Sequence, residues 1–321
     1  MSQTFLTNGK LIEAVKRWKL FGAADRLLIG VSGGVDSISL LRLLLTFPKP
    51  LRPKIAVAHF HHRLRKESDR EARFVKKLCR EWNVPFYFGK APAWKKGKSN
   101  LEARARELRY DFFKKTAGRL KIKKILTAHH ADDQAETFLI RWLQGAGLKG
   151  LGGIPLSRKE GKFSIIRPLL FHSRKEIEAY ARFHRLPFHE DSTNQEPVFL
   201  RNRIRKLLKN LQKENPRLGE KTALNAVFLQ ADQAFLESTV EDLLKKKISL
   251  DFFRKLPDSL RFRLLQRLAQ KSFPAGCFLP VETVLKLDSL VSEKGDKRYD
   301  LPGGIGFIKD KNRFKFFRKG R

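Results

Sequence analysis

The sequence predicts an α/β fold: a parallel twisted sheet with helices on both faces, followed by a smaller, mainly helical C-terminal domain with a short sheet. Three observations carry this. Short β-rich runs alternate with amphipathic stretches over the first two thirds of the chain, the order that builds βαβ units. A glycine-rich loop follows the first of those runs. Beyond it the alternation gives way to long helical stretches and a tail of alternating apolar residues.

Taken in order, Leu27–Val31 reads as a buried strand and Ser37–Phe47 as a helix stopped by Pro48 and Pro50. Lys54–His59 is a second strand, Asp69–Trp82 a helix, and Val84–Phe88 a third strand. Asn100–Ala117 is a helix, Lys124–Ala128 a fourth strand, and Asp132–Gln144 a helix. A loop with many glycines spans Gly145–Gly153. Ser173 and Glu176 have capping-box spacing for a helix through Arg185, which Pro187 ends. Leu200–Leu211 reads as a basic helix, and 213–220, with Asn215-Pro216, as a linker. The expected domains are therefore 1–214 and 215–321. In the second, Glu220–Lys247, Leu256–Gln270 and Val281–Ser292 are expected helices, and Lys297–Phe317 a small sheet around Pro302-Gly303-Gly304. Parallel sheets of this kind bind ligands outside the carboxyl ends of their strands. The loops 30–37, 58–65 and 128–133 all fall there.

Bulk composition narrows the partners. A length of 321 residues favours two domains, and 41% hydrophobic residues, with 26 Phe, can fill ordinary cores. The net charge is +35, from 68 basic and 33 acidic side chains, and the first domain carries most of it. Such an excess points to a polyanion, most simply nucleic acid lying across that domain. Cys79 and Cys277 form no CxxC pair, which argues against a structural zinc site or a disulfide scaffold. No apolar run approaches the ~18 residues of a membrane helix, and the start has no leader-like pattern. The expectation is a cytoplasmic protein that does not bind membranes. The oligomeric state stays open, a dimer included.

Ser32-Gly33-Gly34-Val35-Asp36-Ser37, between a strand and a helix, is an anion cradle. Glycines let a ligand approach the backbone, and the helix N-terminus adds partial positive charge. The Ser32 and Ser37 hydroxyls can donate to phosphate oxygens. A carboxylate beside phosphates repels them unless a cation intervenes, so Asp36 reads as a magnesium ligand. No GxxxxGK[ST] loop occurs. A second run, Ala128-His-His-Ala-Asp-Asp-Gln-Ala-Glu-Thr137, enters a helix from a strand end. Asp133 and Glu136 there share a helical face and can hold magnesium or an amine. For His129 alone, a satisfied half-buried histidine is the plainer reading.

The hexapeptide resembles the signature of the N-type ATP pyrophosphatases, and 128–137 resembles the HHxxDQxET motif of the tRNA(Ile)-lysidine synthetase family within them. His59–Arg65 with Ser68, Glu102–Tyr110, Arg167-Pro-Leu-Leu170, and Asp191-Ser-Thr-Asn194 leading to Arg201–Arg205 agree with that family, as does Leu301-Pro-Gly-Gly304. Asp191-Ser-Thr-Asn194 stands where the family often has Asp-Pro-Ser-Asn. The C-terminal part looks short beside relatives that carry a second accessory domain.

The resemblance implies an adenine nucleotide α-hydrolase-like fold, ATP and Mg2+ as cofactors, and an ATP-dependent ligase as the activity. Its substrates would be free L-lysine and the wobble cytidine of the isoleucine tRNA with anticodon CAU, giving lysidine. Ser32, Gly33, Gly34, Val35 and Ser37 would hold the pyrophosphate. Asp36 would bind magnesium, with Asp133, and His59 would border the adenine or ribose. His129, Asp133, Glu136 and Arg201 would position the lysine. Arg104, Arg106, Arg109, Arg203 and Arg205 would meet RNA phosphates and the flipped base.

Two rivals remain at this level. A tRNA thiolation enzyme of the same superfamily would share the loop and the basic surface, but such enzymes need paired cysteines or a cluster. A non-enzymatic RNA-binding protein would account for the charge but not for Asp36 in the loop.

Overall fold

The computed structural model describes residues 2–63, 68–92, 101–189, 200–246, 248–272, 279–301, 304–311 and 313–318, with backbone alone at 2–7, 68, 101 and 102. It divides into two compact units, Met1–Gln230 and Ala231–Arg321.

In the first unit, α1 (Ser2–Arg17) precedes β1 (Arg26–Gly30), α2 (Val35–Leu45), β2 (Lys54–His61), α3 (Ser68–Glu81), β3 (Phe86–Lys90) and α4 (Leu101–Arg119). Then come β4 (Lys124–Leu126), α5 (Ala131–Leu143), the single turn α6 (Leu148–Leu151), β5 (Ser157–Glu160), β6 (Phe163–Ile166), α7 (Arg174–Phe183) and α8 (Leu200–Glu214). The sheet order is β3-β2-β1-β4-β6-β5, parallel except for the β5–β6 hairpin at one edge. β1 is the switch point, because β2 and β3 lie to one side of it and β4 and β6 to the other. The crevice that such a reversal opens falls at the carboxyl ends of β1 and β4.

The strands read as continuous apolar runs because both faces of the sheet are covered. Leu27, Ile29, Val57, Leu126 and Ile166 join one core with residues of α1, α2, α3 and α7. Their alternating neighbours Leu28, Ala56, Ala58, Ile125 and Ile165 pack against Tyr110, Phe113 and Ala117 of α4. The expected capping box on α7 is present: the Glu176 backbone N–H donates to Ser173 Oγ at 3.3 Å, and the Ser173 N–H donates to Glu176 Oε2 at 2.7 Å. Helix α1 and the β5–β6 hairpin were not among the expected elements. Lys10 of α1 holds Glu176 at 3.0 Å, so α1 is tied to α7.

Helix α9 (Leu218–Leu243) starts right after 215–217, so the expected linker shrinks to that Asn-Pro-Arg turn. The compact units part at 230/231, within α9. The first half of α9 is held by the first unit. Glu220 pairs with Lys10 at 3.3 Å, Ala223 lies in the first core, and Gln230 Nε2 donates to the Gly152 carbonyl.

In the second unit, α11 (Asp258–Ser272) is the helix expected over 256–270, starting after Pro257, and the short α10 (Leu250–Lys255) precedes it as an element not expected. Helix α12 (Val281–Ser292) matches its expected bounds. The strands β7 (Lys297–Leu301), β8 (Ile305–Lys309) and β9 (Phe314–Arg318) form an antiparallel sheet in that order. Phe253, Leu264, Leu287 and Phe307 centre this unit's core, and Arg261 grips Asp288 through Nε and Nη2 at 2.8 and 2.9 Å.

Candidate active site

The loop after β1 is held open by its own side chains. The Ser37 hydroxyl donates to the Gly34 carbonyl at 3.0 Å and accepts from the Ser32 and Gly33 amides at 3.2 and 3.3 Å. Ser37 is thereby buried and spent on shaping the loop, whereas Ser32 is exposed and remains available to a ligand. Gly33 needs its hydrogen side chain, since its φ is +103°. Its carbonyl accepts from the His189 amide at 3.0 Å. Val35 opens α2, and no side chain caps that helix end. Its first-turn amides thus face the cradle, an anion site by backbone alone.

Asp36 follows on the first turn. Burial pushes its carboxyl above the usual range, against the pull of His130 and Arg174. Its Oδ1 is buried without a hydrogen-bond partner. An orphaned carboxylate oxygen beside a phosphate cradle is what a magnesium ligand requires. Mg2+ takes one or two carboxylates and completes its shell with water and phosphate oxygens, so a single loop carboxylate would suffice for it.

The loop after β4 lies across the crevice. His130 places Nε2 at 3.8 Å from Asp36 Oδ2 and 3.5 Å from Asp133 Oδ2, and Nδ1 at 3.7 Å from Asp132 Oδ2. Burial disfavours its charged form, but those three carboxylates outweigh burial and raise its pKa. His129 shifts the other way. Burial and the Arg167, Arg106 and Arg109 guanidiniums hold it well below the imidazole range, despite Asp133. It is neutral, with Nδ1 at 2.9 Å from Thr127 Oγ1. Two adjacent histidines therefore shift in opposite directions, and sequence alone does not separate them.

Helix α8 completes the cluster. Arg201 donates from Nε to Glu136 Oε2 at 2.7 Å and from Nη2 to Asp133 Oδ1 at 3.0 Å. Arg205, one turn on, donates from Nε to Glu136 Oε1 at 2.7 Å. Glu136 is 3% exposed. Asp133 also accepts from the His130 amide at 3.0 Å, and although burial works to raise its pKa, His130, His129 and Arg201 hold it down. With its oxygens so engaged, Asp133 is a poorer metal ligand than Asp36.

The remaining expected residues divide. His59 is 2% exposed, with Nδ1 at 2.8 Å from the Val31 carbonyl and its ring stacked 6.3 Å from Phe88. It braces the β1–β2 strand ends from within. Arg205 faces Glu136, while Arg203 points to solvent from the same helix. Arg104 pairs on the surface with Glu107 at 3.0 Å. Arg106 and Arg109 lie over the Tyr110 ring at 5.1 and 5.7 Å. Asp191–Asn194, Arg65, Pro302-Gly303, Cys277 and the Ser68 and Glu102 side chains lie outside the described residues. Sequence reasoning passed over His130 and Arg174 as site members. The doubled histidine beside two aspartates was the available signal for the first. For Arg174, set at the start of α7 with its amide on Asp132 Oδ2 at 2.7 Å, there was none.

Fold and site together define an ATP-binding α/β protein of the PP-loop class: the PP-loop domain family matches residues 8–211. A tRNA(Ile)-lysidine synthase of Thermotoga maritima is 38% identical over 228 residues, 70% of this chain and 54% of that one. Its namesake in Geobacter sulfurreducens is 35% identical over 320 residues, 94% of this chain and 66% of that one. The one in Petrotoga mobilis is 35% identical over 256 residues, 76% and 81%. The chain thus spans 54% and 66% of the first two relatives' lengths and most of the third's. It belongs to the tRNA(Ile)-lysidine synthase family of PP-loop proteins. Among solved structures it shares its fold with the U34-tRNA thiolase NcsA from Methanococcus maripaludis, at TM-score 0.61 and 18% identity over 70% of this chain and 78% of that one.

Proposed function

We propose that this chain uses ATP to join free L-lysine to the wobble cytidine of the CAU isoleucine tRNA. The observation that carries the reading is the pairing, across one crevice, of the orphaned Asp36 carboxylate in the phosphate loop with the Asp133–Glu136–Arg201–Arg205 cluster. One side suits a phosphate chain with its cation. The other offers carboxylates for an amine and guanidiniums for a carboxylate, the two ends of an amino acid.

In the first step the cytosine 2-carbonyl oxygen attacks the α-phosphorus of ATP, and the bond to pyrophosphate breaks. The α2 amides, Gly33, Gly34 and Ser32 hold the departing pyrophosphate. Mg2+ held by Asp36 would supply Lewis-acid neutralisation of that charge. In the second step the lysine Nε attacks C2, the C–O bond breaks, and AMP leaves with the oxygen. Asp133, held ionised, orients the ε-ammonium, and neutral His129 beside it has a ring nitrogen with which to take the proton the amine must lose. Glu136 fixes Arg201 and Arg205 toward the lysine carboxylate. The thiolation alternative draws no support from Cys79, whose thiol burial pushes up to about 12.

The test is incorporation of labelled lysine into an unmodified CAU isoleucine tRNA transcript, with ATP and magnesium. Incorporation that vanishes when the wobble cytidine is replaced is the expected result. ATP-dependent adenylation of RNA without lysine uptake would overturn the lysine half of the proposal.

A further inference from the structure

Arg174 opens α7 and has no part in the reaction proposed for the chain. Its backbone amide donates to Asp132 Oδ2 at 2.7 Å, and that same oxygen lies 3.7 Å from His130 Nδ1. His130 Nε2 in turn is 3.8 Å from Asp36 Oδ2 and 3.5 Å from Asp133 Oδ2. A run of polar contacts therefore leads from the start of α7 to both halves of the crevice. On its core side α7 packs on α2, the helix whose first turn carries Asp36, through Ile177, Tyr180 and Ala181.

The Arg174 guanidinium is engaged on one edge only. Nε donates to Glu178 Oε1 at 2.9 Å, one turn along α7, while Nη1 and Nη2 have no hydrogen-bond partner among the described residues. The side chain is 39% exposed, so a ligand can reach that free edge. Through space the guanidinium acts on Asp36, Asp133 and His130. A cation at a helix N-terminus opposes the helix dipole, and Lys175 follows as a second one. The exposed pair with Glu178 contributes little. The stability of α7 thus gives no reason for an arginine at its first position, whereas an anion brought to the crevice does.

Place decides which anion. The loop amides and Asp36 suit the pyrophosphate end of ATP, and the cluster around Glu136 suits the amino acid. Arg174 acts on Asp36 and on Asp133 alike, which puts it at the boundary between the two. In the proposed reaction the group at that boundary is the α-phosphate. A planar guanidinium fork suits its paired oxygens.

We propose that Arg174 is a further catalytic residue, whose Nη edge holds two oxygens of the ATP α-phosphate while Glu178 positions the fork through Nε. This rests on reading the chain as an ATP-dependent lysine ligase. In the first step the cytosine oxygen bonds to the α-phosphorus, and the electron pair of the broken P–O bond leaves with pyrophosphate. In the second the C2–O bond breaks, its electron pair goes to the departing AMP, and the charge on that phosphate grows. Arg174 exchanges no proton in either step and stays against the same phosphate through both.

The experiment compares wild type with Arg174→Gln and Arg174→Lys in the full chain. Affinities for ATP, pyrophosphate and lysine are measured separately by calorimetry with magnesium and without RNA. AMP transfer to a CAU stem-loop is followed in a single turnover. Loss of one charge-assisted contact is expected to weaken ATP binding about 10-fold or more in Arg174→Gln, with pyrophosphate and lysine within twofold. Transfer is expected to fall about 100-fold or more. Arg174→Lys keeps the charge without the fork and is expected to fall between; it stays informative if Arg174→Gln fails to fold. Unfolding temperatures are expected to match wild type, so a lowered temperature with a uniform loss of all three affinities would mark a structural arginine and overturn the proposal. Pyrophosphate affinity falling with that for ATP would put the guanidinium on the leaving group, and loss for lysine alone would put it on the amino-acid carboxylate. Either result, or all affinities within twofold of wild type, would overturn the α-phosphate contact. The expected loss for ATP, in a chain whose wild type transfers no AMP to RNA, would remove the proposed reaction and keep the contact.

Discussion

Replacing Glu136 by glutamine tests whether the α8 arginines are held by charge or merely lie nearby. The wild-type carboxylate is 3% exposed and receives Nε of Arg201 and Nε of Arg205, each at 2.7 Å. Removing one partner of a buried pair costs about 3–5 kcal/mol. Here the arginine side chains are 38% and 25% exposed, so water screens part of the orphaned charge. Arg201 also retains Asp133 at 3.0 Å. These two discounts bring the expected loss to about 2 kcal/mol. In a unit of this size that lowers the unfolding midpoint by about 4–8 °C. Urea and thermal unfolding of the single and double variants measure it. A cycle with Arg205→Met isolates the coupling, expected at about 1–2 kcal/mol. Kinetically, Glu136→Gln is expected to raise the KM for lysine far more than the KM for ATP. A stability change under about 0.5 kcal/mol with zero coupling would refute the reasoning. Equal effects on both KM values would take Glu136 out of the amino-acid site.

Other perturbations probe other parts of the molecule. Asp36→Asn is expected to abolish AMP transfer in single-turnover assays while leaving RNA affinity within about twofold, as measured by filter binding; full residual transfer would end its magnesium role. Cys79 is expected to resist thiol reagents at pH 8 in the native state and to react on unfolding, because its thiol is pushed up to about 12; rapid native modification would refute that. Gly153→Ala is expected to cost about 1–3 kcal/mol in thermal unfolding. The new methyl would sit 2.6 Å from Gln134 Nε2, φ there is +60°, and Gln134 is 0% exposed.

Most of the first unit was legible because its signals are local. A strand buried on both faces must be apolar throughout, so Leu27–Ile29 and Ile125–Leu126 stood out. The phosphate loop was readable because backbone approach demands glycine and the helix demands a start. The β5–β6 hairpin was not, since Ser157–Glu160 is an edge strand of polar residues with no alternation to find. Helix α1 was missed in the same way, although Leu11, Ala14 and Val15 bury one of its faces. The expected helix over 256–270 is α11, whose start Pro257 sets two residues later.

The candidate site shows the same division more sharply. Residue type and spacing by themselves determined that Asp36 sits in the first turn of a helix behind a glycine loop and that Asp133 and Glu136 share a helical face. Both facts follow from chain geometry within a few residues. Only the tertiary structure decided what those groups meet. It set Arg205 on Glu136, 69 residues away, where the sequence suggested an RNA contact. It turned Ser37 inward, raised the pKa of His130 and lowered that of His129, and buried Arg167 against the Pro155 carbonyl. Burial and long-range charge act through space, and a linear sequence records neither until the strands bring their carboxyl ends together.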